Sequence, residues 1–178
     1  MSPWRPGERR PDAESMLRVD QAGEYGATRI YAGQLAVLRK NSPAAKLVAR
    51  MSGQEQRHLA RFDALMTKRG VRPTVLQPVW HGAGFMLGAV TALISEEAAM
   101  ACTEAVETEI DRHYGRQLQE LGEDDPELSA DIAEFRADEI EHRDVAREAG
   151  AARAPAYPVL TAAIRGACRV AIGLSKRI

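Results

Sequence analysis

QEQRH at 54–58 and EIEH at 139–142 decide how this chain folds and what it can hold. Each places a Glu three residues before a His: Glu55 before His58, and Glu139 before His142. Residues i and i+3 of a helix share a face, so each pair can reach one ion. One such ExxH is a weak signal, because glutamate is common here. The spacing adds to it. Glu24 precedes Glu55 by 31 residues, and Glu107 precedes Glu139 by 32. The chain therefore reads Glu…ExxH twice, with the partner Glu on the preceding helical segment each time. This is the ligand arithmetic of ferritin-like di-iron bundles, where two helices give one Glu and two give ExxH. Four carboxylates can neutralise and bridge two divalent irons, and imidazole is a ligand that suits iron. In an apolar core without metal, such inward carboxylates would be costly.

The bland alternative is a set of solvated helix-face carboxylates beside two His that happen to follow Glu. Glu107 also has rivals, since Glu96, Glu97, Glu104 and Glu109 share its segment. The internal spacing prefers Glu107, with Glu104 its main competitor. Glu141 points away from the face of Glu139 and is expected in solvent.

Outward from these motifs, every long periodic segment is helical. Residues 13–39 carry apolar or small side chains at Leu17, Ala22, Ala27, Ile30 and Leu35, and end near the breaker Asn41-Ser42-Pro43. Ser42 suits a cap and Pro43 a first turn, opening a helix that runs to about Arg69 and stops at Gly70. An extended stretch over 71–78 follows. A third helix over 79–95 leads into, or continues as, 96–121. The break at 122–126 precedes a fifth helix over 127–148, and a sixth follows Pro155 and Pro158. No segment alternates, so no sheet is expected. The expected fold is all-α: a ferritin-like four-helix bundle with two additional apolar or amphipathic helices. Residues 13–178 form one domain, and 1–12 form a frayed tail.

Composition agrees by exclusion. Aromatics are 5% of 178 residues, too few for a sandwich or a base-stacking platform. A formal net charge of −1 gives no overall field for a polyanion, so no nucleic acid is expected as a partner. Two Cys, Cys102 and Cys168, with no CxxC exclude a disulfide scaffold and a Cys-rich zinc site. The Arg- and Pro-rich N-terminus has no signal h-region and no transit-peptide character, which favours a bacterial chain or a processed product.

Two stretches stand apart. Residues 79–95 contain no Lys, Arg, Asp or Glu, but carry His81 and three Gly. The run is short for a membrane span and reads as a buried or interfacial helix. Residues 158–178 repeat Leu160, Ala163, Ile164, Ala167, Val170, Ala171 and Leu174 at helical spacing, with Arg165, Arg169, Lys176 and Arg177 and no acid. Such a helix suits an anionic membrane surface, or equally closes a core.

RVDQAGEYGATRIYAGQ (18–34), QEQRH, VRPTVLQPVW (71–80), EEAAMACTEAVE (96–107), His113-Tyr114, DEIEH (138–142) and APAYPVL…GACRVAIGLS (154–175) closely resemble the demethoxyubiquinone hydroxylase family. The resemblance runs in order from Arg18 to the C-terminus. It implies metal ligands at Glu24, Glu55, His58, Glu107, Glu139 and His142, the six that the repeat selects. It further implies two iron ions per chain, O2 as co-substrate, and NADH or another reductant as electron source. The implied reaction is hydroxylation of a 2-polyprenyl-3-methyl-6-methoxy-1,4-benzoquinol in the penultimate step of ubiquinone biosynthesis. Implied partners are the polyprenyl quinol, a membrane surface met through 79–94 and 158–178, and a lipid-binding protein or further copies of the chain. The implied location is peripheral, on the cytoplasmic face of a bacterial inner membrane or the matrix side of the mitochondrial one. Tyr114, seven residues past Glu107, returns close to the ligand face, while His113 is offset by about 120°. The resemblance implies roles beside the metal or in redox for both. Cys102 and Cys168 are expected to be small buried residues. An iron-storage ferritin would share the six ligands, and a non-catalytic lipid-presenting protein would share the apolar surface without needing metal.

Overall fold

A computed structural model of the chain describes residues 12–177, so the expected tail at 1–12 lies outside the described residues except for Asp12. Six α-helices and one 3-10 turn make up the described residues, with no strand: α1 (Ala13–Val37), α2 (Pro43–Arg69), α3 (Gln77–Ile94), α4 (Glu96–Leu121), α5 (Pro126–Glu148), the 3-10 turn Ala151–Arg153, and α6 (Tyr157–Ser175).

Local chemistry sets the boundaries. The Asp12 side chain accepts the Ser15 amide at 3.0 Å to start α1. Ser42 caps α2 with Pro43 in its first turn, and Gly70 ends it at φ 69, a left-handed conformation that glycine adopts without a Cβ clash. Asp125 caps α5, again with Pro126 in the first turn. α3 begins at Gln77, so Pro78 lies inside its first turn rather than in an extended stretch, since that turn does not need the missing N–H. Pro158 enters α6 on the same terms. Ser95 is extended at φ −173 and serves both as C-cap of α3 and N-cap of α4, where its side chain accepts the Ala98 amide at 3.0 Å. The third and fourth helices are therefore distinct.

The four helices that carry the candidate ligands, α1, α2, α4 and α5, form the bundle. α1 pairs with α2 and α4 with α5, while α3 packs against α1 and α4, and α6 against α4. The all-α architecture is the one the sequence implies. The α1–α3 seam is the closest: a Cβ at Gly33 would sit on the Phe85 carbonyl, and one at Gly88 on the Ile30 carbonyl. Two apolar clusters fill the bundle. One gathers Leu38, Val48, Met51, Met100 and Ala146; the other gathers Leu17, Phe62, Leu65, Leu121, Leu128 and Ile132. Between them lies a polar layer.

Candidate metal centre

The polar layer consists of Glu24, Glu55, His58, Glu107, Glu139 and His142, all at most 1% exposed. The structure brings all six together in two overlapping groups whose donor atoms lie within 4.8 Å of one another. Glu24, Glu55, His58 and Glu139 form one; Glu55, Glu107, Glu139 and His142 form the other. Glu55 and Glu139, from the two ExxH motifs, belong to both. His58 Nδ1 lies 3.2 Å from Glu139 and 3.5 Å from Glu24. His142 Nδ1 lies 3.1 Å from Glu55 and 3.2 Å from Glu139.

Oxygens of all four carboxylates and both Nδ1 atoms are buried without a hydrogen-bond partner, among them both oxygens of Glu55 and both of Glu139. Buried polar groups are otherwise almost always paired. The donor set is carboxylate and imidazole, gathered at mid-bundle, and fits two divalent cations. Without cations the acids cannot all stay charged. Burial pushes Glu55 and Glu107 well above the usual carboxylate range, and the Glu139 charge adds to it. Burial also raises Glu139, to about 7, against the pull of His58. For His58 burial opposes the charged ring, but Glu139 and Glu24 outweigh it and push it up to about 10.

A second ring of contacts holds the six. Tyr31 Oη donates to Glu107 Oε1 at 2.6 Å, and Tyr114 Oη donates to Glu24 Oε1. Burial and the neighbouring carboxylates hold both phenols well above their usual range, so they remain donors. Away from the centre, His58 Nε2 meets Asp138 Oδ2 at 3.0 Å, and His142 Nε2 meets Gln54 Oε1 at 3.1 Å. The Phe135 ring stacks on His58 with centroids 4.1 Å apart.

Of the two residues expected beside the six, Tyr114 touches Glu24. His113 instead reaches Asp20 Oδ1 at 3.2 Å. Glu104, the competitor of Glu107, is buried but turned elsewhere: it accepts Arg147 Nε at 2.6 Å and the Tyr157 hydroxyl at 2.8 Å. Glu141 is half exposed and pairs with Arg50, as its place on the helix suggests. Sequence reading missed Tyr31, Gln54 and Asp138. A signal was present. α1 reads Glu24-x6-Tyr31-x2-Gln34 and α4 reads Glu107-x6-Tyr114-x2-Gln117, while an amide or acid precedes each ExxH glutamate.

Beside the centre, α1, α3, α4 and α6 enclose an apolar cleft of about 180 Å³. Gly23, Ala27, Val106 and Ile110 form its inner wall, adjacent in sequence to Glu24 and Glu107 or one turn away. Trp80 and Ser175 line it too, and the Trp80 indole N–H donates to Ser175 Oγ at 3.0 Å. Outside the cleft, Val79, Met86, Val90, Leu93 and Ile94 of α3 are exposed, as are Val159, Val170 and Leu174 of α6. Among the described residues, α6 alone is long and apolar enough to cross a membrane by length and composition. Yet Arg165, near its middle, is committed to the buried Glu109 of α4, with Nε to Oε1 at 2.7 Å, while Arg169 approaches the same carboxylate at 3.8 Å and stays largely exposed. Burial pushes both thiols, Cys102 and Cys168, up to about 12, so neither is poised as a nucleophile.

The sequence matches the family described as ubiquinone biosynthesis protein COQ7 over residues 11–175. It is 52% identical over 175 residues to the 3-demethoxyubiquinol 3-hydroxylase of Rhodospirillum rubrum, covering 97% of this chain and 82% of that one. To the human NADPH-dependent 3-demethoxyubiquinone 3-hydroxylase, mitochondrial, it is 49% identical over 173 residues, with 95% and 79% covered. The Saccharomyces cerevisiae 5-demethoxyubiquinone hydroxylase, mitochondrial, is 45% identical over 181 residues, with 93% and 78% covered.

Proposed function

From the premise that this chain belongs to the COQ7 family of ubiquinone biosynthesis proteins, we propose that it is a di-iron monooxygenase acting on a polyprenyl quinol. The substrate is 2-polyprenyl-3-methyl-6-methoxy-1,4-benzoquinol, and the product carries a new ring hydroxyl. The stoichiometry balances when one atom of O2 enters the ring C–H and the other leaves as water, with two electrons and two protons supplied. NADH or another reductant is the electron source. Glu24, Glu55, His58, Glu107, Glu139 and His142 hold the two irons. Bound there and reduced, the irons would supply the activation of O2 that no side chain can provide.

The remaining work falls to the chain itself. Tyr31 and Tyr114 fix the rotamers of Glu107 and Glu24 by donating to one oxygen and leaving the other turned inward. Asp138 and Gln54 orient the two imidazoles so that Nδ1 faces the centre. Phe135 and the two apolar clusters keep water from the layer. The apolar cleft, walled by small residues next to Glu24 and Glu107, takes the quinol and leaves its tail among the exposed side chains of α3 and α6. Those helices rest on the membrane, peripheral to the cytoplasmic face in a bacterium or the matrix face in a mitochondrion. A lipid-binding protein or a second copy of the chain would share this surface. His113, through Asp20, serves at the edge of the centre in positioning or electron delivery.

The observation that carries this reading is the pair of overlapping donor groups with unpartnered inward atoms. Purified protein is expected to bind two irons per chain, and Glu55→Ala or His142→Ala to abolish both iron and hydroxylation. Expression in a strain that accumulates demethoxyubiquinone, followed by mass spectrometry, should restore ubiquinone. Hydroxylated product from a metal-free chain would sink the di-iron assignment. Retained quinol binding without turnover would favour a lipid-presenting protein.

A further inference from the structure

The centre is built on an approximate two-fold repeat, and the repeat is broken in one chemical respect. Glu24 and Glu107 correspond, as do Tyr31 and Tyr114, and Glu55-x2-His58 and Glu139-x2-His142. Each imidazole presents Nδ1 inward and donates Nε2–H to the residue preceding the opposite ExxH glutamate. For His58 that residue is Asp138, at 3.0 Å; for His142 it is Gln54, at 3.1 Å. The geometries match, but the acceptors differ by a full charge.

An N–H donated to a carboxylate draws the ring toward imidazolate and makes the other nitrogen a stronger metal donor. Such a charge-assisted bond is roughly twice as strong as one to a neutral carboxamide. Arg57 lies 3.8 Å from the same Asp138 oxygen and is mostly exposed, so it softens this effect without removing the contact. A second difference has the same sign. One turn before Glu24 stands the buried Asp20, with Oδ1 held by His113 at 3.2 Å and Oδ2 unpartnered; the corresponding position before Glu107 is Thr103, which is neutral and accepts from Gln34 at 3.3 Å. The surroundings of His58 and Glu24 are thus richer in acid than those of His142 and Glu107.

We propose that the two metal positions are inequivalent, the His58 position filling first, with Asp138 and Gln54 as the positioning residues that set the order. This rests on the assignment of the six ligands above and adds an order of loading to it.

The test is anaerobic titration of the metal-free protein with Co(II), followed by visible absorption against a competing chelator at fixed pH. Wild type should show two binding constants separated by about tenfold or more, the size of effect usual for a partner one bond removed from the metal. Asp138→Asn should weaken the tighter constant and leave the other in place. Gln54→Asp should strengthen the weaker one. The exchanged pair, Gln54→Asp with Asp138→Gln, should restore the separation of wild type, and adding His142→Ala to that pair should then remove the tighter step. Circular dichroism confirms that each variant is helical before it is titrated, and Asp138→Glu serves as a conservative replacement expected to keep two steps. Two equal constants in wild type, or an unchanged separation in both single variants, would overturn the inequivalence while leaving the ligand assignment intact. No Co(II) binding at all would overturn both.

Discussion

The helix pairs on either side of the centre are built by opposite rules. α2 and α5 supply both ExxH motifs, yet their backbones approach little, and they are bridged at the surface by ion pairs: Arg61 with Asp131 at 2.9 Å, Lys68 with Glu127 at 2.8 Å, and Arg69 with Asp125. Among the described residues, α3 and α6 supply none of the clustered carboxylates and imidazoles. They bind the bundle through glycine contacts and one buried acid, and present bare aliphatic side chains outward. The pair that carries both ExxH motifs has a charged outer face. α3 has a tight inner seam against α1, and both α3 and α6 have apolar outer faces. Surface ion pairs contribute little each, whereas a Cβ at Gly33 or Gly88 would run into a backbone carbonyl of the facing helix.

The contrast can be probed by measurement, beginning with metal. Metal should matter most on the α2–α5 side, where the ExxH residues would join the helices from within. At about a thousandfold excess over the dissociation constant, a divalent ion adds about 4 kcal/mol to stability. Melting should rise by roughly 10 °C, with amide exchange slowed chiefly in α2 and α5. Slowing confined to α3 and α6 would contradict the comparison. Next in size is Gly88→Leu, which drives a side chain into the Ile30 carbonyl and should cost on the order of 3 kcal/mol in denaturant unfolding. A cost below about 1 kcal/mol would show that the α1–α3 seam has slack.

Arg165→Ala leaves Glu109 buried and without its closest partner, and should cost about 2 kcal/mol. Charge reversal at Arg165 would therefore loosen α6 itself, so its effect on vesicle binding is not a simple loss of surface charge. A cleaner membrane test is Leu93→Glu or Val170→Glu, both at exposed positions. Each should lower partitioning to lipid vesicles about tenfold while leaving the melting temperature nearly unchanged. Smallest of all is Arg61→Ala on the charged face, expected to change stability by less than about 1 kcal/mol and to matter less still at high salt.

The six clustered residues were legible in the sequence because each ExxH pair is fixed by spacing along one helix. i, i+3 geometry needs no knowledge of a partner, and the matched Glu…ExxH intervals located the rest. The caps at Ser42 and Gly70 were legible for the same local reason, and α2 has the bounds they imply. What escaped were residues whose roles exist only across helices. Tyr31 gains meaning because α1 and α4 lie side by side, and Gln54 and Asp138 because each ring nitrogen points to the opposite helix. Arg165 reads as a cation for an anionic surface until α6 is docked, when Glu109 claims it. Pro78 reads as a breaker until the helix is seen to begin one residue before it.

Ser95 bears on how the two kinds of region communicate. It is the single residue between α3 and α4, and its hydroxyl is committed to the second helix. A surface that tilts or lifts α3 therefore acts on α4 directly, with no loop in between to take up the motion. Glu107 lies about 18 Å along that same helix. The joint couples whatever presses on the exposed face of α3 to the helix that carries Glu107.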